Sequence, residues 1–161
     1  MKQQMKKVNV YLASPFFSPE QVERVERVEK ALEANPFVGE YFSPMREQLT
    51  HLPFGSKEWA NAVYHNDANH VQWADVIVAV LDYEGETELH GVRSGHVDSG
   101  TAFEIGMAVA MNKPVIIVHE KGGIVNLMIS QPLTAYLEDA DAVADYNFFK
   151  MPKIPFTGEV M

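Results

Sequence analysis

The chain has 161 residues, 47% of them hydrophobic and 22% charged, the proportions of an ordinary globular domain. A chain of this size buries roughly 70% of its unfolded surface, so a core forms without covalent staples. The absence of cysteine excludes disulfides, thiolate nucleophiles and Cys-based metal centres. Thirteen Lys and Arg against 22 Asp and Glu give a net charge of −9, which argues against a nucleic-acid binder and against an anionic membrane surface.

Residues 1–7 are basic, but the apolar run that follows, Val8-Asn9-Val10-Tyr11-Leu12-Ala13, is short and interrupted by Asn9, unlike a leader peptide. No stretch approaches the ~18 apolar residues of a membrane span. With no cysteine, the expectation is a cytoplasmic protein of one domain, residues 1–161, with an irregular tail from about Met151.

Residues 8–13 read as a buried first strand. Ser18-Pro19-Glu20-Gln21 carries a capping box with proline at the first helical position, and the helix it starts runs to Ala34. Val22, Val25, Val28 and Leu32 form its apolar stripe, with Glu23/Arg27 and Glu26/Lys30 as i,i+4 pairs on the wet side. Tyr41-Phe42 is a short second strand, and residues 45–57 a polar loop. A helix covers Lys57 to Trp73, and the continuous apolar run 75–81 has the character of a strand buried on both faces of a parallel sheet. A long loop spans 82–100, followed by a helix at 101–111, a buried strand at 115–118, a loop at Gly122-Gly123, a strand at 133–137 and a short helix at 139–146. This alternation predicts a doubly wound α/β sheet, whose ligands sit at the carboxyl ends of the strands.

Glu104, in Asp98-Ser99-Gly100-Thr101-Ala102-Phe103-Glu104-Ile105-Gly106, falls in the first turn of the predicted third helix. Thr101 and Glu104 together read as a capping box. The other reading is a carboxylate kept ionised by the helix dipole and suited to attack on an anomeric carbon. Asp67 shares the stripe Val63, Asp67, Val71, Ala74. A partly buried acid there has a raised pKa and can serve as a general acid; hydrogen bonding to local backbone is the plainer alternative. Two such carboxyls are what glycosyl chemistry uses.

Asp98-Ser99-Gly100 resembles an anion cradle, but no P-loop lysine follows and Asp98 would repel a phosphate. No G-x-G-x-x-G follows the first strand, so a dinucleotide site is not indicated. Phe16 and Phe17 can stack on a flat base or plug a core. The six histidines lack metal-ligand spacing, and no G-x-S-x-G elbow is present.

The segments Val10–Phe17, Tyr64-His65-Asn66-Asp67, Asp98–Gly106 and Asn126-Leu127-Met128 resemble, in order and spacing over residues 8–150, the nucleoside 2-deoxyribosyltransferases. The resemblance implies a flavodoxin-like, mostly parallel five-stranded sheet with helices on both faces. It implies transfer of 2-deoxyribose between nucleobases, with free deoxynucleosides and nucleobases as partners and no cofactor or metal. Residue by residue it makes Glu104 the nucleophile, Asp67 the group that handles the base proton, and Tyr11 the residue that positions the nucleophile. Asp98 and Asn126 would hold the sugar 5′-hydroxyl, Asn126 reaching from a neighbouring subunit of a homo-oligomer. Gln48, Phe17 and Met128 complete the expected substrate contacts. Residues 84–97 make a longer loop than the family pattern. An N-glycoside hydrolase on the same fold and a nucleotide-binding module without turnover are the alternatives.

Overall fold

In the computed structural model, which describes residues 5–161, β1 (Val8–Ala13) lies between β2 (Val38–Phe42) and β3 (Val76–Val80). β6 (Val115–Val118) and β7 (Ala135–Leu137) extend the sheet beyond β3, giving the order β2-β1-β3-β6-β7, and every pairing is parallel. This is the flavodoxin-like doubly wound order, interrupted by one insertion. Residues 1–4, part of the basic start, lie outside the described residues.

β3 and β6 are buried along their whole length, as their unbroken Val/Ile runs predict. Their side chains alternate between two cores because successive residues of a strand point to opposite faces. On one face Val10, Leu12, Val78 and Ile116 pack under Val25, Val28 and Leu32 of α1 (Pro19–Ala34). On the other, Tyr11, Ile77 and Ile117 pack under Val71 and Ala74, at the end of α2 (Lys57–Trp73), and under Ile105 and Ala108 of α3 (Ser99–Ala110).

α1 starts as predicted: Ser18 Oγ accepts from the Gln21 N–H, while Gln21 Oε1 reaches back one residue further than the box requires, to the Phe17 N–H. Glu23 pairs with Arg27 at 2.6 Å, but Glu26 faces Arg46 at 3.6 Å rather than Lys30.

Several expectations change. The second strand starts at Val38, earlier than Tyr41. The polar loop 45–57 is preceded and begun by a 3-10 turn at Pro44–Arg46, tied to buried Glu29 by Arg46 and Ser43. The predicted helix at 139–146 is a 3-10 turn, Asp141–Asp145, and a one-turn helix, α4 (Leu127–Ser130), appears in the loop after β6. The irregular tail is nonetheless pinned, with Ile154 bridging to Ala135 and Val160 to Val125.

The largest change is at 82–100, where the predicted loop is an antiparallel hairpin of β4 (Tyr83–Leu89) and β5 (Val92–Val97). Its turn residues His90 and Gly91 both have positive φ, 51° and 78°, the conformation that two-residue hairpin loops need. Tyr83 anchors the hairpin. Its ring lies where a Cβ at position 95 would be 2.1 Å away, so only glycine fits opposite. Its hydroxyl donates to the Gly122 carbonyl at 2.5 Å and therefore accepts from Nε2–H of His119, whose bare Nδ1 accepts from the Tyr136 hydroxyl at 2.9 Å. Burial pushes His119 down to about 4, so it stays neutral at physiological pH and that tautomer holds.

Arg24 of α1 ties the base of the hairpin to the sheet. Its guanidinium pairs with buried Asp82, with Glu20 at 2.8 Å and with Glu120 at 3.0 Å. Removing one partner of a buried pair leaves a desolvated charge behind. Arg24→Leu should therefore lower stability by about 3 kcal/mol, read as a shift of the urea midpoint, and Arg24→Leu/Asp82→Leu should recover more than half of that loss. A single-variant loss below about 1 kcal/mol would show that Asp82 is solvated in the folded protein.

Candidate active site

The strand order reverses at β1, with β2 on one side and β3 on the other, so a crevice opens at the carboxyl ends of these strands. The chain leaves β1 as Ser14-Pro15-Phe16-Phe17, and these residues line a cleft of about 660 Å³ together with Asp67 of α2 and the start of α3. Asp67, Asp98, Glu104, Gln48 and Phe17 all face this one cleft. Phe17 is 79% exposed and stacks on Phe16, so it is available to a flat ligand rather than plugging the core.

Glu104 is not the cap that its spacing allowed. The helix begins at Ser99, two residues early, and Asp98 caps it, its Oδ2 accepting from the Thr101 N–H at 2.8 Å and the Thr101 hydroxyl at 2.9 Å. Glu104 is therefore the sixth helical residue, past the first turn in which the dipole acts. Its Oε2 is buried and has no hydrogen-bond partner among the described residues. Burial pushes the carboxyl up to about 8; the Tyr11 hydroxyl works against that rise, and the charges of Asp67 and Asp98 add to it. The expectation of a carboxylate held ionised by the dipole is thus reversed: burial keeps Glu104 mostly protonated at neutral pH.

Tyr11 lies in β1 and is fully buried, and its hydroxyl is also unpartnered. It lies close enough to Glu104 for each to shift the other, without a hydrogen bond of normal geometry between them. Burial, then the charges of Glu104 and Asp67, push its pKa far up, so it remains a neutral donor. Its ring is fixed by stacking on Phe42, which in turn stacks on His70 of α2 with ring centroids 3.7 Å apart. Asp67 sits one turn before His70. Burial raises its carboxyl to about 6, and His70 opposes the rise. The raised acid expected from the stripe Val63, Asp67, Val71 is therefore present.

Gln48 donates from Nε2 to the Met45 carbonyl at 2.8 Å, and its backbone carbonyl accepts from Trp59 Nε1 at 3.3 Å. Sequence reading missed the apolar wall beside it. Leu52, Pro53, Phe54 and Trp59 line the cleft, with Phe54 against Trp59 at 4.6 Å. The signal was the Leu-Pro-Phe run inside a stretch read as polar.

Asn126 and Met128 are not brought to this cleft. They line a second one, of about 480 Å³, against β5 and the opposite side of α3. Within the chain Asn126 caps α4, accepting from the Met128 N–H at 2.9 Å, and Met128 is 74% exposed. Among the described residues no three acidic or histidine side chains gather as metal ligands, and no helix is long and apolar enough to cross a membrane.

Comparison with known proteins decides the family. Residues 10–147 match the sequence family described as nucleoside 2-deoxyribosyltransferase. The chain belongs to the nucleoside 2-deoxyribosyltransferase family. A nucleoside deoxyribosyltransferase of Limosilactobacillus fermentum is 35% identical over 162 residues, covering 91% of this chain and 90% of that protein. One from Lactobacillus leichmannii is 25% identical, covering 94% and 96%. The solved 2-deoxyribosyltransferase of Bacillus psychrosaccharolyticus superposes with a TM-score of 0.77 at 37% identity, covering 92% of this chain and 98% of that one. The chain is accordingly an enzyme, a transferase of the deoxyribosyl group.

The Glu104 environment has a measurable cost to the fold. Below about 4.5 both folded and unfolded chains hold the proton; between 4.5 and about 8 only the unfolded chain ionises, so stability falls as pH rises through that window. Glu104→Gln, which cannot ionise, should gain stability relative to the unmodified protein by roughly 3–4 kcal/mol more at pH 8 than at pH 5, measured by urea unfolding at both. An equal difference at the two pH values would mean that Glu104 is not desolvated.

Proposed function

We propose that this transferase moves 2-deoxyribose from one nucleobase to another through an ester formed on Glu104. The observation that supports it is the unpartnered, buried Glu104 oxygen at a cleft that also holds the raised acid Asp67. In the first half-reaction a Glu104 oxygen bonds to C1′ as the C1′–N bond breaks, and its electron pair passes to the base nitrogen, which takes the Asp67 proton. In the second, Asp67 accepts the proton of an incoming base whose nitrogen attacks C1′, and Glu104 leaves as a carboxylate. A sugar without a 2′-hydroxyl suits this route, since nothing there withdraws electrons from the oxocarbenium-like transition state. Tyr11, a neutral buried hydroxyl, positions Glu104, while Phe17 and the Phe54/Trp59 wall sandwich the base and Gln48 contacts its edge. Asp98 accepts from the 5′-hydroxyl. The reaction needs no cofactor, and the setting is cytoplasmic salvage of free deoxynucleosides.

Incubation with deoxyinosine and adenine tests this directly: deoxyadenosine is the expected product, whereas free deoxyribose alone identifies a hydrolase and no change a binding module. Glu104→Ala should lose at least about 10³-fold in rate, about 4 kcal/mol of transition-state stabilisation. The active form, Glu104 ionised and Asp67 protonated, is one tautomer of the singly ionised pair. kcat/KM should therefore follow a bell with limbs near 6 and 8, which belong to the pair rather than to either residue. In Asp67→Asn the descending limb should vanish and the ascending limb should move up, to between 6 and 8. A bell unchanged in Asp67→Asn refutes that assignment.

Asn126 and Met128 act, in this reading, in the cleft of a second copy. Mixing inactive Glu104→Ala and Asn126→Ala subunits should restore a measurable fraction of activity. No recovery after demonstrated subunit exchange would refute a shared site.

A further inference from the structure

The hairpin brings a carboxylate to the start of α3, whose first residue, Ser99, lines the cleft. Glu84, in β4, accepts a hydrogen bond from the Ser99 N–H, the first backbone donor of α3. The side chain and then the backbone of Ser99 hold the Glu84 carboxyl below its usual range, so it is charged at neutral pH. Asp98 takes the Thr101 N–H two residues on, and the Asp98 carbonyl takes the Ala102 N–H. Of the donors that open α3, the Gly100 N–H is left, and Asp98, Ser99 and Gly100 all line the cleft that holds the unpartnered Glu104 oxygen.

A helix start normally offers an anion several free N–H groups and a positive dipole end. Here two carboxylates of the protein's own already occupy that position, one on the helix cap and one delivered by the hairpin. Tyr83, the residue before Glu84, is fixed by Gly122, His119 and the glycine at 95. What remains is a corner suited to a neutral hydroxyl, which can donate to a carboxylate and accept from Gly100, and unsuited to a phosphate of about −1.5 to −2 charge.

We propose that Glu84 is a second specificity-determining residue at the sugar's 5′ end, excluding 5′-phosphorylated substrates alongside Asp98. This rests on the proposed deoxynucleoside reaction. Glu84 is exposed, so its field is screened over a Debye length of ~8 Å at physiological salt and reaches ~30 Å at 0.01 M. Its contribution should therefore be largest at low ionic strength.

The test is competitive inhibition of deoxyadenosine–hypoxanthine exchange by deoxyadenosine 5′-monophosphate, at about 0.01 M and 0.15 M salt. Glu84→Gln keeps an acceptor for Ser99 and removes only the charge, and Glu84→Lys reverses it. The readout is the inhibition constant divided by the KM for deoxyadenosine, whatever happens to turnover. At low salt that ratio should fall roughly three- to tenfold in Glu84→Gln and further in Glu84→Lys, with a smaller change at 0.15 M. A ratio unmoved in both variants, even with turnover reduced, would show that Glu84 only caps the helix and would overturn the proposal. Absence of any base exchange by the unmodified protein would instead overturn the proposed function, so the two failures are distinguishable.

Discussion

A carboxyl taken out of water with one oxygen left unpartnered is expensive, and the fold around Glu104 is arranged to hold it there. The sixth position of α3 places it over the carboxyl end of β1, where Tyr11 is rigid because the strand is central and its ring is stacked on Phe42. Three acidic groups share this neighbourhood, Glu104, Asp67 and Asp98, and the negative field of the other two raises Glu104 further. Such a cluster is at ease when positive charge arrives. An oxocarbenium-like sugar at C1′ would supply it, and its attraction would offset the burial and the negative neighbours that hold Glu104 protonated, favouring the ionised form.

The parts of the fold dictated by apolar periodicity were legible. The unbroken runs of β3 and β6 and the i, i+3, i+4 stripe of α1 have few alternatives, because moving any of them exposes a row of Val and Ile to water. The hairpin at 83–97 was not, although Glu84, Glu86 and Glu88 alternate with Tyr83, Gly85 and Thr87 and His90-Gly91 makes a turn. Both its faces are largely polar, so no hydrophobic pattern announces it. Its stability comes from Tyr83 reaching a buried histidine 36 residues away, a contact that local reading cannot find. The start of α3 was misplaced for a related reason. Thr101-x-x-Glu104 is a sound capping signal, but Asp98, three residues before Thr101, takes the Thr101 N–H that Glu104 would accept in such a box, and so starts the helix two residues earlier.

The candidate site was readable in its chemistry and less so in its walls. Asp67 stands out as an acid on an apolar stripe, and Glu104 and Asp98 lie near a helix start. The Leu52-Pro53-Phe54 wall sits in a segment without periodicity, where Phe54 is 88% exposed and its partner Trp59 belongs to the next helix. Aromatic side chains left in water by a folded chain are costly unless something covers them, and here they stand around a cleft sized for a small ligand.

α3 is a wall between two clefts. Ser99, Gly100 and Glu104 face the one with the carboxyl pair, and Ala102, Ile105 and Gly106 face the one with Asn126 and Met128. Gly106 is informative because a Cβ there would meet nothing within 4 Å, and glycine inside a helix costs roughly 0.5–1 kcal/mol relative to alanine. Packing within one chain gives no reason for it. Close approach of another backbone would be one, and Met128, which lines the same cleft as Gly106, is exposed. If a second copy covers it, each α3 becomes the shared boundary of a catalytic cleft and a subunit contact, and the rigidity that Glu104 needs comes from both sides of the helix.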